Sequence, residues 1–131
     1  QERLGTGHAA RMAAPLLAGF EGDVAVLYGD NPLITTPTLE RLVAARESAD
    51  LALLAMRPTD PAKYGRVVLD ASGQVERIVE WADASEAERA IGLCNAGVVC
   101  AAAPNLFRWL AALRNDNRQG EYYLTDVVQA A

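Results

Sequence analysis

Two short, uninterrupted apolar runs with a helical stretch between them constrain the fold more than any other feature of the sequence. The runs cover residues 24–28 and 51–56, and apolar residues at i, i+3, i+4 spacing follow a Thr-Pro start signal within 36–47. Short continuous apolar runs are typical of strands that are buried on both faces, as in a parallel sheet. Strand, helix and strand in this order predict a right-handed crossover unit and therefore an α/β fold.

The rest of the chain adds further elements to this unit. Two strand-like runs at 65–69 and 74–80 are joined by a turn that ends in glycine, which predicts an inserted β-hairpin. The segment Ser85-Glu86-Ala87-Glu88 has the capping-box pattern of a helix start. The remaining predicted elements are a strand at 93–100 and helices within 6–19, at 104–113 and from 125 or 126 onwards; Pro15 or Gly19 limits the first of these helices. We therefore expect a mostly parallel sheet with an inserted hairpin.

The charge balance excludes several classes of function. The formal net charge is -5, and the 12 Lys and Arg residues are dispersed rather than clustered, whereas a nucleic-acid binder needs a basic stripe. No apolar run approaches the roughly 18 residues of a membrane-spanning helix. The two cysteines, Cys94 and Cys100, are expected to be reduced core thiols of a cytoplasmic protein. We therefore expect neither a nucleic-acid partner nor a membrane partner.

The strongest candidate site follows the first apolar run, in the segment Leu27-Tyr28-Gly29-Asp30-Asn31-Pro32-Leu33. Ligands of open α/β sheets gather at the carboxyl ends of the strands, which is where Asp30 lies. Gly29 lacks a side chain, so a ligand can approach the backbone there. A single carboxylate suits Mg²⁺, which takes one or two carboxylates together with substrate phosphates. The alternative is an ordinary turn, because Gly, Asp, Asn and Pro all favour turns.

Other polar positions are weaker candidates. The segment Gly5-Thr6-Gly7 precedes a helix, so its N–H groups could hold a base edge or a phosphate, or Thr6 could simply cap the helix. Glu80 ends the hairpin and Asn95 interrupts an apolar strand. Facing one pocket, the two could hold sugar hydroxyls; the alternatives are a solvated strand end and a satisfied core amide. His8, the only histidine, is expected to be structural.

Six stretches, taken together and in order, resemble the uridylyltransferase domain of bacterial bifunctional N-acetylglucosamine-1-phosphate uridylyltransferases, which also acetylate glucosamine-1-phosphate. They are LGTGHA at 4–9, LYGDNPLI at 27–34, DPAKYGRVV at 60–68, VERIVEWADAS at 75–85, CNAGVV at 94–99 and QGEYYLTDVV at 119–128. The resemblance covers essentially the whole chain and implies a Rossmann-like nucleotide-diphospho-sugar transferase fold. It implies Mg²⁺-dependent uridylyl transfer from UTP to N-acetylglucosamine-1-phosphate, which yields pyrophosphate and UDP-N-acetylglucosamine, a cell-wall precursor.

The resemblance also implies roles for individual residues. Those expected on the nucleotide side are Gly5, Thr6, Tyr28 and Gly29, with Asp30 as the catalytic residue and magnesium ligand. Those expected on the sugar side are Gly65, Glu80, Asn95, Tyr123 and Thr125. One departure concerns the sugar side: the family usually has Glu-x-Asn-Thr-Gly where this chain has Leu-Cys-Asn-Ala-Gly at 93–97, so a carboxylate and a hydroxyl are lost.

The resemblance finally implies how the chain relates to a longer protein. Residues 1–131 are expected to be the central part of the uridylyltransferase domain of a homotrimeric parent. The N-terminal phosphate loop and the C-terminal acetyltransferase domain would then lie outside the chain, and the segment alone would be inactive. The alternatives are another sugar-phosphate nucleotidylyltransferase and a non-catalytic module that binds a sugar nucleotide.

Overall fold

The computed structural model describes residues 3–131, and these residues form five strands and five α-helices. The strands are β1 (Asp23–Val26), β2 (Leu51–Met56), β3 (Arg66–Leu69), β4 (Val75–Val79) and β5 (Cys94–Ala102). The helices are α1 (Thr6–Arg11), α2 (Thr36–Arg46), α3 (Glu86–Arg89), α4 (Ala103–Ala112) and α5 (Val127–Ala130), with 3-10 turns at Ala14–Leu17 and Leu124–Asp126. The α/β class, the inserted β3–β4 hairpin and the five predicted strands are confirmed.

The sheet is organised around β5. β2 runs along one edge of β5, and β1 and β3 share the other edge, with β1 beside residues 99–102 and β3 beside Cys94. Every pairing among the described strands is antiparallel. This corrects the prediction of a mostly parallel sheet: β1 and β2 point in the same direction, but β5 lies between them and runs the opposite way.

The apolar runs predicted strands that are buried on both faces, which holds for β5 but not for β1, where Asp23 and Ala25 are exposed. Val99 and Ala101 of β5 belong to a buried cluster on one face of the sheet, together with Leu106, Trp109, Leu110, Leu124 and Val127. Val98 and Cys100 pack with Leu42 of α2 on the other face. Even where both faces of a strand are covered, as in β5, a continuous apolar run carries no information about the direction of the neighbouring strand.

The N-terminal helix is shorter than the predicted helix at 6–19. α1 ends at Arg11 and is followed by a 3-10 turn at Ala14–Leu17. Pro15 accounts for the break, because it has no N–H to donate and its ring would clash with the carbonyl of Arg11 in a continued helix. Thr6 is not the N-cap either: Gly5 holds that position without a side-chain cap, and Thr6 Oγ1 accepts a hydrogen bond from Leu124 N–H at 3.0 Å.

The predicted capping box at the start of α3 is confirmed. Ser85 Oγ accepts from Glu88 N–H at 3.3 Å, and the Glu88 carboxylate accepts from Ser85 N–H at 2.7 Å. Hydrogen bonds from Ser85, and then the guanidinium of Arg77, lower the pKa of Glu88 to about 2. Both cysteines are buried free thiols on β5. Within residues 3–131 no helix has the length and apolar character needed to cross a membrane.

Candidate functional site

A cleft of about 780 Å³ crosses β5: its lining residues come from α2 and β2 on one side and, on the other side, from the edge of β5 that β1 and β3 share. β1 pairs with β5 only from Val99 onwards and β3 only at Cys94, so residues 96–98 have no strand partner on this edge within the described sheet. Seven of the ten predicted site residues line the cleft: Thr6, Tyr28, Asp30, Gly65, Glu80, Asn95 and Tyr123. The other three, Gly5, Gly29 and Thr125, are not among the lining residues. The fold therefore brings most of the predicted residues to one place.

The nucleotide-side candidates lie on a turn that follows β1. Asn31 N–H donates to the Tyr28 carbonyl at 3.2 Å, which places Gly29 and Asp30 at the centre of a β-turn. An added Cβ at Gly29 would meet no atom within 4 Å, so its backbone faces open space. Asp30 is exposed and forms no ion pair with another described residue. The turn thus presents an uncommitted carboxylate to the cleft.

Tyr28 and Asn31 fasten this turn to β5. The Tyr28 ring lies over Gly97, and Asn31 Nδ2 donates to the carbonyl of Ala96 at 2.9 Å. Burial raises the pKa of Tyr28, and the nearby carboxylates of Glu80 and Asp30 raise it further. A hydrogen bond with Thr6 lowers the pKa but does not cancel the rise. The Tyr28 hydroxyl is therefore protonated at neutral pH.

The Leu-Gly-Thr-Gly segment at 4–7 runs beside the Glu-Tyr-Tyr segment at 121–123. Tyr122 N–H donates to the Leu4 carbonyl at 2.8 Å, and Gly7 N–H donates to the Tyr122 carbonyl at 2.8 Å. A Cβ at Gly5 would lie 2.6 Å from the Tyr122 carbonyl oxygen, so only glycine permits this approach. Close packing against Tyr122 therefore explains why position 5 is glycine. Thr6, in contrast, lines the cleft.

The sugar-side candidates form a connected wall. Glu80 Oε1 accepts from Thr125 Oγ1 at 2.9 Å, and a Cβ at Gly65 would lie 3.3 Å from Glu80 Oε2. The Gly65 carbonyl accepts from Asn95 N–H at 2.9 Å, and Asn95 Oδ1 accepts from Gly97 N–H at 3.0 Å. Thr125 is buried behind Glu80 and acts on the cleft only through it. Glu80 and Asn95 thus flank Gly65 on one side of the cleft.

This wall is electrostatically strained. Burial raises the pKa of Glu80, and repulsion by Asp126 and Asp83 adds to the rise, while the hydrogen bond from Thr125 opposes it. Tyr123 Oη donates to Asp83 Oδ2 at 3.4 Å, and burial together with Asp83 raises the pKa of Tyr123 to about 12. Tyr123 therefore keeps its proton and neutralises none of the acidic charge. A ligand that donates hydrogen bonds to Glu80 would relieve this strain.

Replacing Glu80 with glutamine is expected to stabilise the fold at neutral pH. Because the folded pKa of Glu80 is raised, its contribution to stability is full below the unfolded pKa and is lost as the pH rises through the folded pKa. Glutamine keeps an oxygen for Thr125 without the buried charge. We therefore expect the melting temperature at pH 7 to rise above that of the wild type.

Thermal unfolding of Glu80→Gln at pH 7 and at pH 3 provides the measurement. The gain should vanish at pH 3, below the unfolded pKa of a glutamate, about 4.3. Glu40→Gln is the control, because Glu40 is exposed on α2 and should change stability little at either pH. A gain of equal size at both pH values would show that burial of the Glu80 charge is not its cause.

A buried arginine holds the loop at 61–64 that enters the cleft between β2 and β3. Arg66 is 1% exposed. Its guanidinium carbon lies 5.1 Å from the centroid of the Trp81 ring. The guanidinium donates to the carbonyl oxygens of Pro61, Ala62, Tyr64 and Arg89. No carboxylate forms an ion pair with Arg66 within the described residues. Backbone carbonyls therefore solvate this charge, and in doing so they fix the loop that carries Lys63.

Sequence reasoning missed several residues that line the cleft: Asn31, Arg41, Lys63, Gly97, Gln119 and Glu121. Lys63 and Arg41 are the basic side chains that line it within residues 3–131. Lys63 carried a signal, as the single lysine of the chain, two residues before Gly65 and three before Arg66. Arg41 lies on α2 outside any motif, and only the folded structure brings it to the cleft.

The described residues contain no group of three or more His, Cys, Asp or Glu side chains that could hold a metal ion by itself. The carboxylate of Asp30, which forms no ion pair with a described residue, nevertheless fits Mg²⁺, because this ion needs only one or two protein carboxylates when phosphates supply further oxygens. Asp30 could therefore hold magnesium together with a phosphate ligand.

The chain is similar over its whole length to one segment of several bacterial proteins. It is 63% identical over 137 residues to the bifunctional protein GlmU of Gluconacetobacter diazotrophicus, 60% identical to that of Gluconobacter oxydans and 52% identical to that of Ruegeria pomeroyi. The alignments cover 99–100% of this chain, which spans 29% of the length of these curated relatives. No family model matches the chain.

Two solved structures of UDP-glucose pyrophosphorylase share the fold. The form complexed with UDP-glucose has a TM-score of 0.72 at 17% identity, and the alignment covers 99% of this chain and 51% of that one. The apo form has a TM-score of 0.71 at 15% identity, with 99% and 49% covered. At this level of identity the similarity concerns the fold alone, and it confirms the predicted nucleotidyltransferase fold.

Proposed function

Because the chain is related along its whole length to one segment of the bifunctional GlmU proteins, we propose that it forms the substrate cleft of a sugar-phosphate nucleotidyltransferase. In the proposed reaction the parent protein transfers uridylyl from UTP to N-acetylglucosamine-1-phosphate. The observation that supports this most directly is one cleft in which a turn bearing the free carboxylate of Asp30 faces a wall bearing Glu80 and Asn95. A phosphate-bound metal and a polyhydroxyl ligand need these two kinds of surface.

The proposed chemistry needs no covalent intermediate on the protein. A phosphate oxygen of N-acetylglucosamine-1-phosphate attacks the α-phosphorus of UTP, and the bond to the bridging oxygen of the β-phosphate breaks. Pyrophosphate leaves with that electron pair, and UDP-N-acetylglucosamine is formed. Catalysis of such a transfer consists of positioning the two substrates and neutralising phosphate charge. Magnesium, when bound at Asp30, supplies positive charge against the phosphate oxygens.

On the nucleotide side, the turn at 28–31 offers a protonated hydroxyl, an open backbone and a carboxylate. We infer that Tyr28 and Thr6 donate or accept hydrogen bonds at the nucleoside, and that Gly29 lets it lie against the backbone. The cationic groups available to the phosphates in the described cleft are Arg41 and Lys63. Two positive charges cannot neutralise the negative charge of a triphosphate and a sugar phosphate. We therefore infer that other parts of the parent protein supply further cationic groups.

On the sugar side, Glu80 accepts hydrogen bonds from hydroxyl groups. The Oδ1 atom of Asn95 is already used by Gly97 N–H, which leaves its NH₂ group to donate to the ligand. Tyr123 lines the cleft beside them, whereas Thr125 holds the Glu80 carboxylate in place. A ligand with adjacent donor and acceptor groups, such as a sugar ring, can donate to the Glu80 carboxylate and accept from the Asn95 NH₂ group at the same time.

The test is pyrophosphate release by the full-length parent protein with Mg²⁺. UTP with N-acetylglucosamine-1-phosphate should give the fastest release among combinations of UTP, CTP or dTTP with several sugar 1-phosphates. Release with another nucleotide but not with UTP would support a different nucleotidylyltransferase. Binding of UDP-sugars without any release would support the non-catalytic module. In the same assay, Glu80→Gln should raise KM for the sugar phosphate more than KM for UTP, because the lost charge lies on the sugar side.

A further inference from the structure

We propose that Gly97 is a positioning residue, which sets the place of the nucleotide-side turn by leaving room for the Tyr28 ring. The inference rests on the proposed function, because that function assigns the turn at 28–31 to nucleotide and metal binding. Gly97 itself is not assigned to contact substrate. It lies on β5, whereas the turn belongs to the loop after β1, so the two are far apart in sequence.

A bulge in β5 creates the place where the ring lies. Leu54 of β2 pairs with Val98, but the next residue, Ala55, pairs with Asn95, so residues 96 and 97 have no partner on β2. Gly97 has φ +75°, a conformation that L side chains rarely adopt. At this bulge the backbone of Gly97 faces the loop after β1. A residue other than glycine would place a side chain there.

The Tyr28 ring occupies the space of the missing side chain. An added Cβ at Gly97 would lie 2.5 Å from Cδ2 and 2.7 Å from Cε2 of Tyr28. Carbon atoms in contact prefer separations of about 3.5–4.0 Å, so the ring would have to move by roughly 1 Å. Tyr28 is the first residue of the turn, and Asn31 at its other end is hydrogen-bonded to Ala96 in the same bulge. Both ends of the turn therefore rest on residues 96 and 97.

Asp30 lies between these two attachments, so displacement of the ring moves the carboxylate as well. A misplacement of about 1 Å at reacting groups can reduce a rate by about 100-fold. The sugar side is affected less, because the bond from Gly97 to Asn95 uses the backbone N–H, which alanine retains. We therefore expect Gly97→Ala to act on the nucleotide in preference to the sugar phosphate.

Gly73 provides a matched control. It has φ +83° in the turn between β3 and β4, and an added Cβ there would meet no atom within 4 Å. Alanine at either position carries the strain of a positive φ. Only alanine at Gly97 also meets the Tyr28 ring, so the difference between the two variants isolates the displacement of the ring.

The experiment measures steady-state kinetics and thermal unfolding of full-length Gly97→Ala and Gly73→Ala. We expect Gly97→Ala to lower kcat at least about tenfold below that of Gly73→Ala and to raise KM for UTP, with KM for N-acetylglucosamine-1-phosphate changed less than about threefold. The melting temperature should fall further for Gly97→Ala than for Gly73→Ala. In a Tyr28→Ala background the two substitutions should lower it equally, because the ring is gone.

Several outcomes would overturn the inference. They are equal KM values for UTP in the two glycine variants, a KM for the sugar phosphate that rises as much as KM for UTP, and a loss of stability at Gly97 that is the same with and without the Tyr28 ring. If Gly97→Ala does not fold, the double variant with Tyr28→Ala should fold, and its failure to do so contradicts the proposal. Absence of uridylyl transfer in the wild-type protein would refute the proposed function, while the unfolding comparison would still decide whether Gly97 makes room for the ring.

Discussion

Replacing Asp30 with asparagine is expected to lower the turnover of the full-length protein at least about tenfold while the fold is retained, since a charge held against the phosphates is lost. Asp30 is exposed and forms no ion pair with a described residue, so its charge contributes little to stability. Asparagine keeps the shape of the side chain and its hydrogen-bonding oxygen but cannot neutralise a divalent cation. The loss should therefore appear in kcat and in the magnesium concentration needed for half-maximal rate.

The measurement is pyrophosphate release as a function of magnesium concentration, with Asp50→Asn as the control. Asp50 is an exposed carboxylate before β2, away from the cleft-lining residues, so its replacement changes the net charge by the same amount. Near-normal turnover of Asp30→Asn at low magnesium would remove Asp30 from the proposed mechanism. A loss of the same size in Asp50→Asn would show that overall charge, rather than the turn, is responsible.

Replacing Arg66 with methionine is expected to destabilise the protein by about 2–4 kcal/mol, because four backbone carbonyls lose a charged donor and a hydrogen bond to a charged group contributes about 1.5–3 kcal/mol. Part of that cost is offset, since a buried charge is removed together with its desolvation penalty. Methionine fills most of the volume and keeps contact with Trp81, so the main loss is the hydrogen bonds that hold the loop at 61–64. The free energy of unfolding in urea measures the change.

Arg77→Met is the matched control for this variant. Arg77 is 30% exposed and pairs with Glu88 at 2.6 Å and with Glu76 at 3.4 Å, and exposed pairs of this kind contribute about 0–1 kcal/mol. Arg66→Lys should fall between Arg66→Met and the wild type, because lysine keeps the charge but has no planar fork of donors. Unchanged or increased stability of Arg66→Met would mean that desolvation of the guanidinium outweighs its hydrogen bonds.

Local signals in the sequence predicted most elements of the fold. Apolar runs found the strands, and the capping box found α3, because burial and capping depend on residues that are near one another in the chain. The direction of the strands was not predictable in this way. The strand between β1 and β2 is the antiparallel β5, but a parallel strand in that place would require the same apolar residues in β1 and β2. Pro15 was one of the two positions, with Gly19, at which the predicted helix was expected to end, and the structure places the break before Pro15.

The candidate site was predicted best where a polar residue stands at the end of an apolar run. Asp30 and Glu80 were found for this reason and Asn95 because it interrupts an apolar strand, and all three line one cleft. The contacts that hold them in place were not predictable, since they join distant segments. The Tyr28 ring over Gly97 depends on a bulge whose register is set by pairing with β2.

The central position of β5 has a consequence for how the protein folds during synthesis. β1 and β2 are joined only through β5, the last of the five strands to be translated. Chains grow at roughly 5–20 residues per second, so the unpaired backbone edges of β1 and β2 remain without their partner for seconds. Contacts between distant segments also close slowly. Substitutions that weaken β5 will therefore reduce the yield of folded protein through aggregation of the nascent chain, even where the activity of each folded molecule is unchanged.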